Sequence, residues 1–225
     1  MSQPAPTAQD TVRAEVARVG ASLFQRGLVH STAGNISVRL TAEQGGGFLI
    51  TPTDACLGFL DPAQLAWVGQ DGSALGGERA SKTLTLHRRI YATAPAAHCV
   101  LHTHSTHLVA LTLQGVWRHD DILPPLTPYQ LMKVGHVPLV PYRVPGDASV
   151  ADDVAALIAK AHRPLRAVML ERLGPTVWHD SPASAMALIE ELEETARLWL
   201  MTERRTEPLT QAQISELQAR FNTPW

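Results

Sequence analysis

An α/β fold with a mixed central sheet covered by helices, in one domain, is the architecture this sequence predicts, and three observations carry it. Short apolar runs of strand length alternate irregularly with longer runs at helical spacing. Turn signals at Gly45 to Gly47 and at Gln70 to Ser73 lie directly between candidate strands, which makes the pairing largely antiparallel. No linker-like stretch divides the 225 residues, a length that supports one sizeable core.

In chain order, Val12, Val16, Val19, Leu23 and Phe24 fall at helical spacing between about Asp10 and Gln25, and Gly27 suits the C-terminal cap. HSTAGNISVRL turns at Gly34-Asn35, then alternates Ile36, Val38 and Leu40 with Ser37 and Arg39, as a strand does. FLITPT resumes an apolar strand and stops at Pro52. Leu60-Asp61-Pro62 has the form of a helix start, and a strand pair flanks the turn at Gln70 to Ser73. Ser81 or Thr83 caps a helix to about Tyr91, with Leu84, Leu86, Ile90 and Tyr91 as its apolar positions. A strand over Ala97 to His104 follows, then a helix from Ser105 with Leu108, Val109 and Leu111 inward. Past Asp120 the chain is rich in proline, and VPLVPY is a short strand. Ser149 caps a helix to about His162, and LRAVMLE is a buried strand followed by a loop. The last long helix runs from Ser181-Pro182 to about Glu203. Met186, Ile189, Leu192, Ala196 and Trp199 face inward there, with Glu190, Glu193 and Glu194 on a solvated face. TQAQISELQARFNTPW adds a short helix, and no internal repeat is present.

Hydrophobic residues at 45%, charged residues at 18% and a formal charge of −2 describe a soluble globular protein with no field suited to nucleic acid or an anionic membrane. Cys56 and Cys99 lack Cys-x-x-Cys spacing and read as buried small hydrophobes. The N-terminus has no charged segment followed by an apolar one, and no apolar run is long enough to span a bilayer, so a cytoplasmic protein is expected.

The chemistry concentrates in AHCVLHTHSTH, Ala97 to His107. On a strand, His102 and His104 share one face, and His-x-His is a known way to give two nitrogens to one Zn²⁺. Thr51 to Asp54 lies at a strand end, and Ser31, Thr32 and Asn35 lie in the preceding turn. Both offer hydroxyls and amides to an anion, although such residues also populate turns for local reasons.

STAGNISVR, LITPT, the Ser81 to His87 segment, VLHTHSTH, VPLVPY and EELEETARLWL together resemble the class II aldolase/adducin family, the group of L-fuculose-phosphate aldolase and L-ribulose-5-phosphate 4-epimerase. Within it GFLDP, LPPLTPYQLMKVG and YRVPGD look most like the 3-oxo-tetronate 4-phosphate decarboxylase branch. The resemblance implies a three-layer α/β/α fold with a nine-stranded sheet, a cyclic homotetramer and a divalent metal ion, Zn²⁺, near subunit contacts. It also implies a small phosphorylated sugar-acid substrate. Carried over by position, His102 and His104 are metal ligands, and Asn35, Thr53 and Ser81, with Lys82 adjacent, bind phosphate.

Two departures stand out. The family's carboxylate is replaced by Thr83, and its third metal histidine by Leu173. Candidate third ligands are His107, His179 and Glu171. Asp54 stands where many relatives have glycine. Lys82, Tyr129 and Arg172 are the candidate catalytic side chains: Tyr129 as an acid or a packed aromatic, Arg172 as a bidentate partner for a substrate carboxylate. His87 is expected to make a structural hydrogen bond. Aldol chemistry needs a base to take a proton from carbon, whereas loss of CO₂ from a 3-oxo acid reaches the same enediolate without one. The pattern therefore favours a decarboxylase. The alternatives are an aldolase or epimerase of the family, or a silent adducin-like binding protein.

Overall fold

Apolar and polar residues alternate along the strand Asn35–Arg39, yet the first four are all buried, so this strand is covered on both faces. The computed structural model describes residues 5–221, 223 and 225. Among them eight strands form one sheet: β1 (Asn35–Arg39), β2 (Phe48–Ile50), β3 (Ala66–Val68), β4 (Ala74–Gly76), β5 (Cys99–His102), β6 (Leu139–Val140), β7 (Ala167–Leu170) and β8 (Gly174–His179). Their order is β4-β3-β2-β1-β5-β8-β7-β6. Only the β6/β7 pairing is parallel. The sheet is thus mixed and largely antiparallel, with eight strands described where the resemblance implied nine.

Ile36, Cys99 and Leu101 face a layer made by α1 (Ala8–Gln25), α3 (Thr106–Gln114) and α5 (Pro182–Met201), in a core shared with Val19, Leu108 and Leu192. The opposite face carries Phe48, Val100 and Trp178 and packs against α2 (Leu84–Thr93) and α4 (Ser149–Lys160). Each fully buried Leu or Ile contributes about 1.5–3 kcal/mol. A shorter helix, α6 (Gln211–Phe221), rests by the π-helical turn Gln130–Val134. No described helix is long and apolar enough to cross a membrane.

Several helix starts differ from the sequence reading. Thr7 and Asp10 form a reciprocal cap for α1, and Ser181 caps α5 by accepting from Ser184 N. Thr83 precedes α2 but makes no capping bond with its side chain. Ser149 lies inside α4, and its N–H is taken by Asp147 Oδ1 at 2.9 Å. Asp61 does cap, but only the single turn Pro62–Gln64. Cys99 is buried, whereas Cys56 is half-buried.

The largest correction is β8. Pro175 argues against a central strand, yet the segment after Leu173 pairs with both β5 and β7. A three-residue turn, Glu171 to Leu173, joins β7 to β8. Its middle residue, Arg172, adopts a left-handed φ of 62°, which a sequence without glycine there does not advertise.

Glu193 is the second correction. It is buried, not solvated. Its carboxylate accepts from His107 N at 2.9 Å and from Leu108 N at 3.1 Å, so a residue of α5 caps α3 just behind the histidine pair. Glu193→Ala should therefore cost about 1–2 kcal/mol, read as a lowered urea midpoint with an unchanged m-value. An unchanged midpoint would show that α3 starts without this cap.

Candidate functional site

Strand β5 ends at His102, two residues short of the span read from sequence, and the chain turns through Thr103 to Ser105 into α3. His104 therefore lies beyond the strand, yet its ring centroid is 5.0 Å from that of His102. Pairing sets Asn35 and Thr176 on either side of His102 in one row across β1, β5 and β8. His102 Nδ1 lies 2.9 Å from the Pro175 carbonyl and 3.0 Å from Thr176 Oγ1. The carbonyl can only accept, so Nδ1 carries the proton and Nε2 keeps its lone pair. Burial pushes His102 down to about 3, with His104 and then His87 adding to the effect and the Pro175 carbonyl opposing it. His104 is lowered by burial and then by His30, whose ring centroid is 6.4 Å away.

His87, from α2, is fully buried and held by burial at about 3. Its Nδ1 is 2.7 Å from Ser37 Oγ, which is in turn 2.8 Å from the Tyr91 hydroxyl. This is the structural hydrogen bond expected of His87. Its Nε2 and Asn35 Oδ1 are buried without a partner among the described residues.

The Glu171–Leu173 turn is pressed against this row. A Cβ on Gly174, whose φ is +145°, would come 1.9 Å from the Thr103 carbonyl oxygen, so only glycine fits. Two cavities flank the turn. One, of about 400 Å³, is bounded by His30, His104, Leu113, Arg172 and Leu173. The other, of about 110 Å³, is bounded by Lys82, Thr83, Arg143, Glu171 and Leu173. Leu173 is a wall of both.

The proposed anion residues gather at one end of the sheet. Ile36 N donates to Thr51 Oγ1 at 3.2 Å, Thr53 N to Arg79 O at 3.0 Å, and Ser81 N to Thr51 O at 3.2 Å. These contacts bring the segments of Asn35, Thr53 and Ser81 together, with Lys82 next in chain at the start of α2. Thr53 also borders a hollow whose charged residues, Asp54, Asp61 and Glu78, are all acidic. Asp54 takes a left-handed φ of 58°, the geometry of a glycine position.

The other candidates separate. Tyr129 is 57% exposed under the Lys133 ammonium and borders neither cavity at the hairpin. His107 Nδ1 lies 2.8 Å from Glu193 Oε1. His179 pairs with Cys99, three residues from His102 and therefore about 10 Å along the strand. Glu171 Oε2 accepts from Tyr142 N at 2.9 Å. Rings sharing a tetrahedral Zn²⁺ stand roughly 5 Å apart, so His102 and His104 suit one ion. No three His, Cys, Asp or Glu side chains among the described residues are gathered to hold one. The donor set falls one short of a catalytic zinc site. His30 and Arg143 were not foreseen: each reaches its cavity only through long-range packing, which no local motif records.

Residues 14–200 match the model of the class II aldolase and adducin N-terminal domain. The chain is 54% identical over 223 residues to a Cupriavidus necator protein named 3-oxo-tetronate 4-phosphate decarboxylase, covering 96% of this chain and 99% of that one. An Escherichia coli K12 protein of the same name is 40% identical, covering 94% and 97%. The crystal structure of YgbL from Escherichia coli superimposes with a TM-score of 0.86 at 40% identity, covering 93% and 99%.

Because Leu173 stands beside His104, Leu173→His should tighten Zn²⁺ binding by roughly tenfold or more, measured by competition with a chromophoric chelator. Unchanged affinity would place that wall out of ligand reach.

Proposed function

The chain belongs to the class II aldolase and adducin family, and from that premise we propose that it is a carboxy-lyase converting 3-oxo-tetronate 4-phosphate to dihydroxyacetone phosphate and CO₂. The observation that carries the proposal is the distribution of cations at the hairpin. Lys82 and Arg143 border one cavity, and Arg172 borders the other beside His104. This substrate has a phosphate at one end and a carboxylate at the other. Similarity over almost the whole length of proteins named for this reaction supports the same reading.

Ser81, Lys82 and the N-terminus of α2 hold the phosphate, where the helix dipole favours an anion. Asn35 and the Thr53 hydroxyl close that end. Arg172 recruits the carboxylate and turns the C1–C2 bond out of the plane of the C3 carbonyl. His102 and His104 lie toward the C3 oxygen. The bond's electron pair then flows onto that oxygen as CO₂ departs, giving an enediolate. No carbon-bound proton is removed, so Thr83 in place of a carboxylate does not block the step. Preorganised dipoles and charges at the developing oxyanion are the main requirement.

A divalent ion, Zn²⁺, is the cofactor that family membership brings to mind. His102 and His104 offer it two nitrogens and the described residues no third, so no step is assigned to it. A cytoplasmic homotetramer belongs to the same reading, on the strength of the family resemblance.

Purified protein should release CO₂ and dihydroxyacetone phosphate in equal amounts from 3-oxo-tetronate 4-phosphate generated in situ. Arg172→Ala should lower kcat/KM by about 10- to 100-fold, as expected for a lost charge-assisted hydrogen bond. Substrate binding without release of either product would instead favour the silent, adducin-like reading, to which Thr83 and Leu173 lend support.

A further inference from the structure

Decarboxylation leaves one demand unmet. The enediolate must take a proton at C2 to become product, and the group that gives it must stand beside that carbon. We propose that Glu171 is this proton donor, an inference that rests on the decarboxylase reading above.

Glu171 begins the turn between β7 and β8 and borders the cavity that holds Lys82, Thr83, Arg143 and Leu173. Only one other carboxylate, Asp147, borders either cavity among the described residues, and its Oδ1 is occupied by the Ser149 N–H that starts α4. The guanidinium groups of Arg143 and Arg172 do not give up a proton in proteins, and the Lys82 ammonium is assigned to the phosphate. The Thr83 hydroxyl is a weaker acid still, and it is bonded to Ser81 Oγ at 2.9 Å. By elimination and by placement, Glu171 is the acid of this cavity.

Its geometry is that of a held side chain. Oε2 accepts from the Tyr142 N–H at 2.9 Å, while Oε1 makes no hydrogen bond among the described residues. Its backbone N–H donates to Val140 O at 3.0 Å, fixing the start of the turn against β6. Arg172, next in chain, borders the neighbouring cavity, so the acid and the group that recruits the carboxylate come from adjacent residues on opposite sides of Leu173.

The step balances as follows. The C1–C2 bond breaks, its electron pair passes to the C3 oxygen, and CO₂ leaves. The pair then returns through C2, which takes the proton from the Glu171 carboxyl as the C3 carbonyl reforms. The resulting carboxylate regains a proton from solvent once product has left.

Turnover in D₂O tests the assignment. Wild-type protein should place a single deuterium in one of the two positions of the new CH₂OH group. Glu171→Gln keeps an oxygen for the Tyr142 N–H, so the turn should stand. This variant should still release CO₂, about 10- to 100-fold more slowly. Its product should carry deuterium in both positions equally, because solvent protonates a released enediol, and inorganic phosphate should leak by elimination from that enediol. Stereospecific labelling at the wild-type rate would overturn the proposal. Glu171→Asp, which withdraws the carboxyl by one methylene, should lower kcat at least tenfold with KM little changed and labelling still stereospecific. An unchanged kcat in this variant would equally overturn it, even if Glu171→Gln fails to fold. Absence of CO₂ release from the wild type would instead remove the decarboxylase reading, and the proposal with it.

Discussion

The contact on which the site depends is the close approach of Gly174 to the Thr103 carbonyl. A side chain at 174 would sit inside that oxygen, and the φ of +145° is one that other residues rarely adopt. Because that space is empty, β8 can lie directly against the end of β5, and Thr103 N can reach Pro175 O at 3.2 Å. The same approach brings the Pro175 carbonyl to His102 Nδ1, which fixes the tautomer of that ring. One backbone contact thus sets both the position of the hairpin turn and the orientation of the nearest imidazole.

Burial then shapes the electrostatics. His87 and His102 are taken out of water without a carboxylate beside them, so both remain neutral well below the usual imidazole range. The nearby positive charge comes from the flanks instead, from Lys82 and Arg143 on one side of Leu173 and Arg172 on the other. A neutral, polar centre between cationic ends suits a molecule carrying negative charge at both ends. It serves less well for one whose chemistry needs a carboxylate base at the centre. The Glu193 carboxylate is near in sequence space to neither, but its bonds to the first amides of α3 anchor the turn on which His104 rides.

Much of this was legible in the residues themselves. Alternation located β1, short apolar runs located β2, β5 and β7, and helical spacing located α1, α2, α3 and α5, because apolar residues are what each element buries against the layers. Polar signals were harder. Ser149 and Thr83 have the chemistry of caps, but cap status depends on which backbone amide is left over, and in α4 Asp147 reaches it first. Glu193 looked solvated because it sits among Glu190 and Glu194, whereas its face is decided by α3, a partner about 85 residues away that no local pattern names. β8 was missed because Pro175 and the left-handed Arg172 are local features that oppose a hairpin, and tertiary pairing on both sides outweighed them. At the site, the His102 and His104 neighbourhood followed from spacing, while the separation of His179 from it required the register of β5 on β8.

The two departures at Thr83 and Leu173 acquire a common meaning once the turn is in place. Both positions border the cavity that Glu171 also borders, so a carboxyl still lines it. Leu173 stands as an apolar partition, with Arg172 bordering the cavity on one side of it and Glu171 the cavity on the other. A base poised to strip carbon of a proton and an acid poised to deliver one make different demands of their surroundings. The former gains from a strongly held metal that acidifies the carbon, the latter from a side chain held firmly in place beside it. With two imidazoles for an ion and cations on both sides of Leu173, the described residues of this site offer little to the first demand.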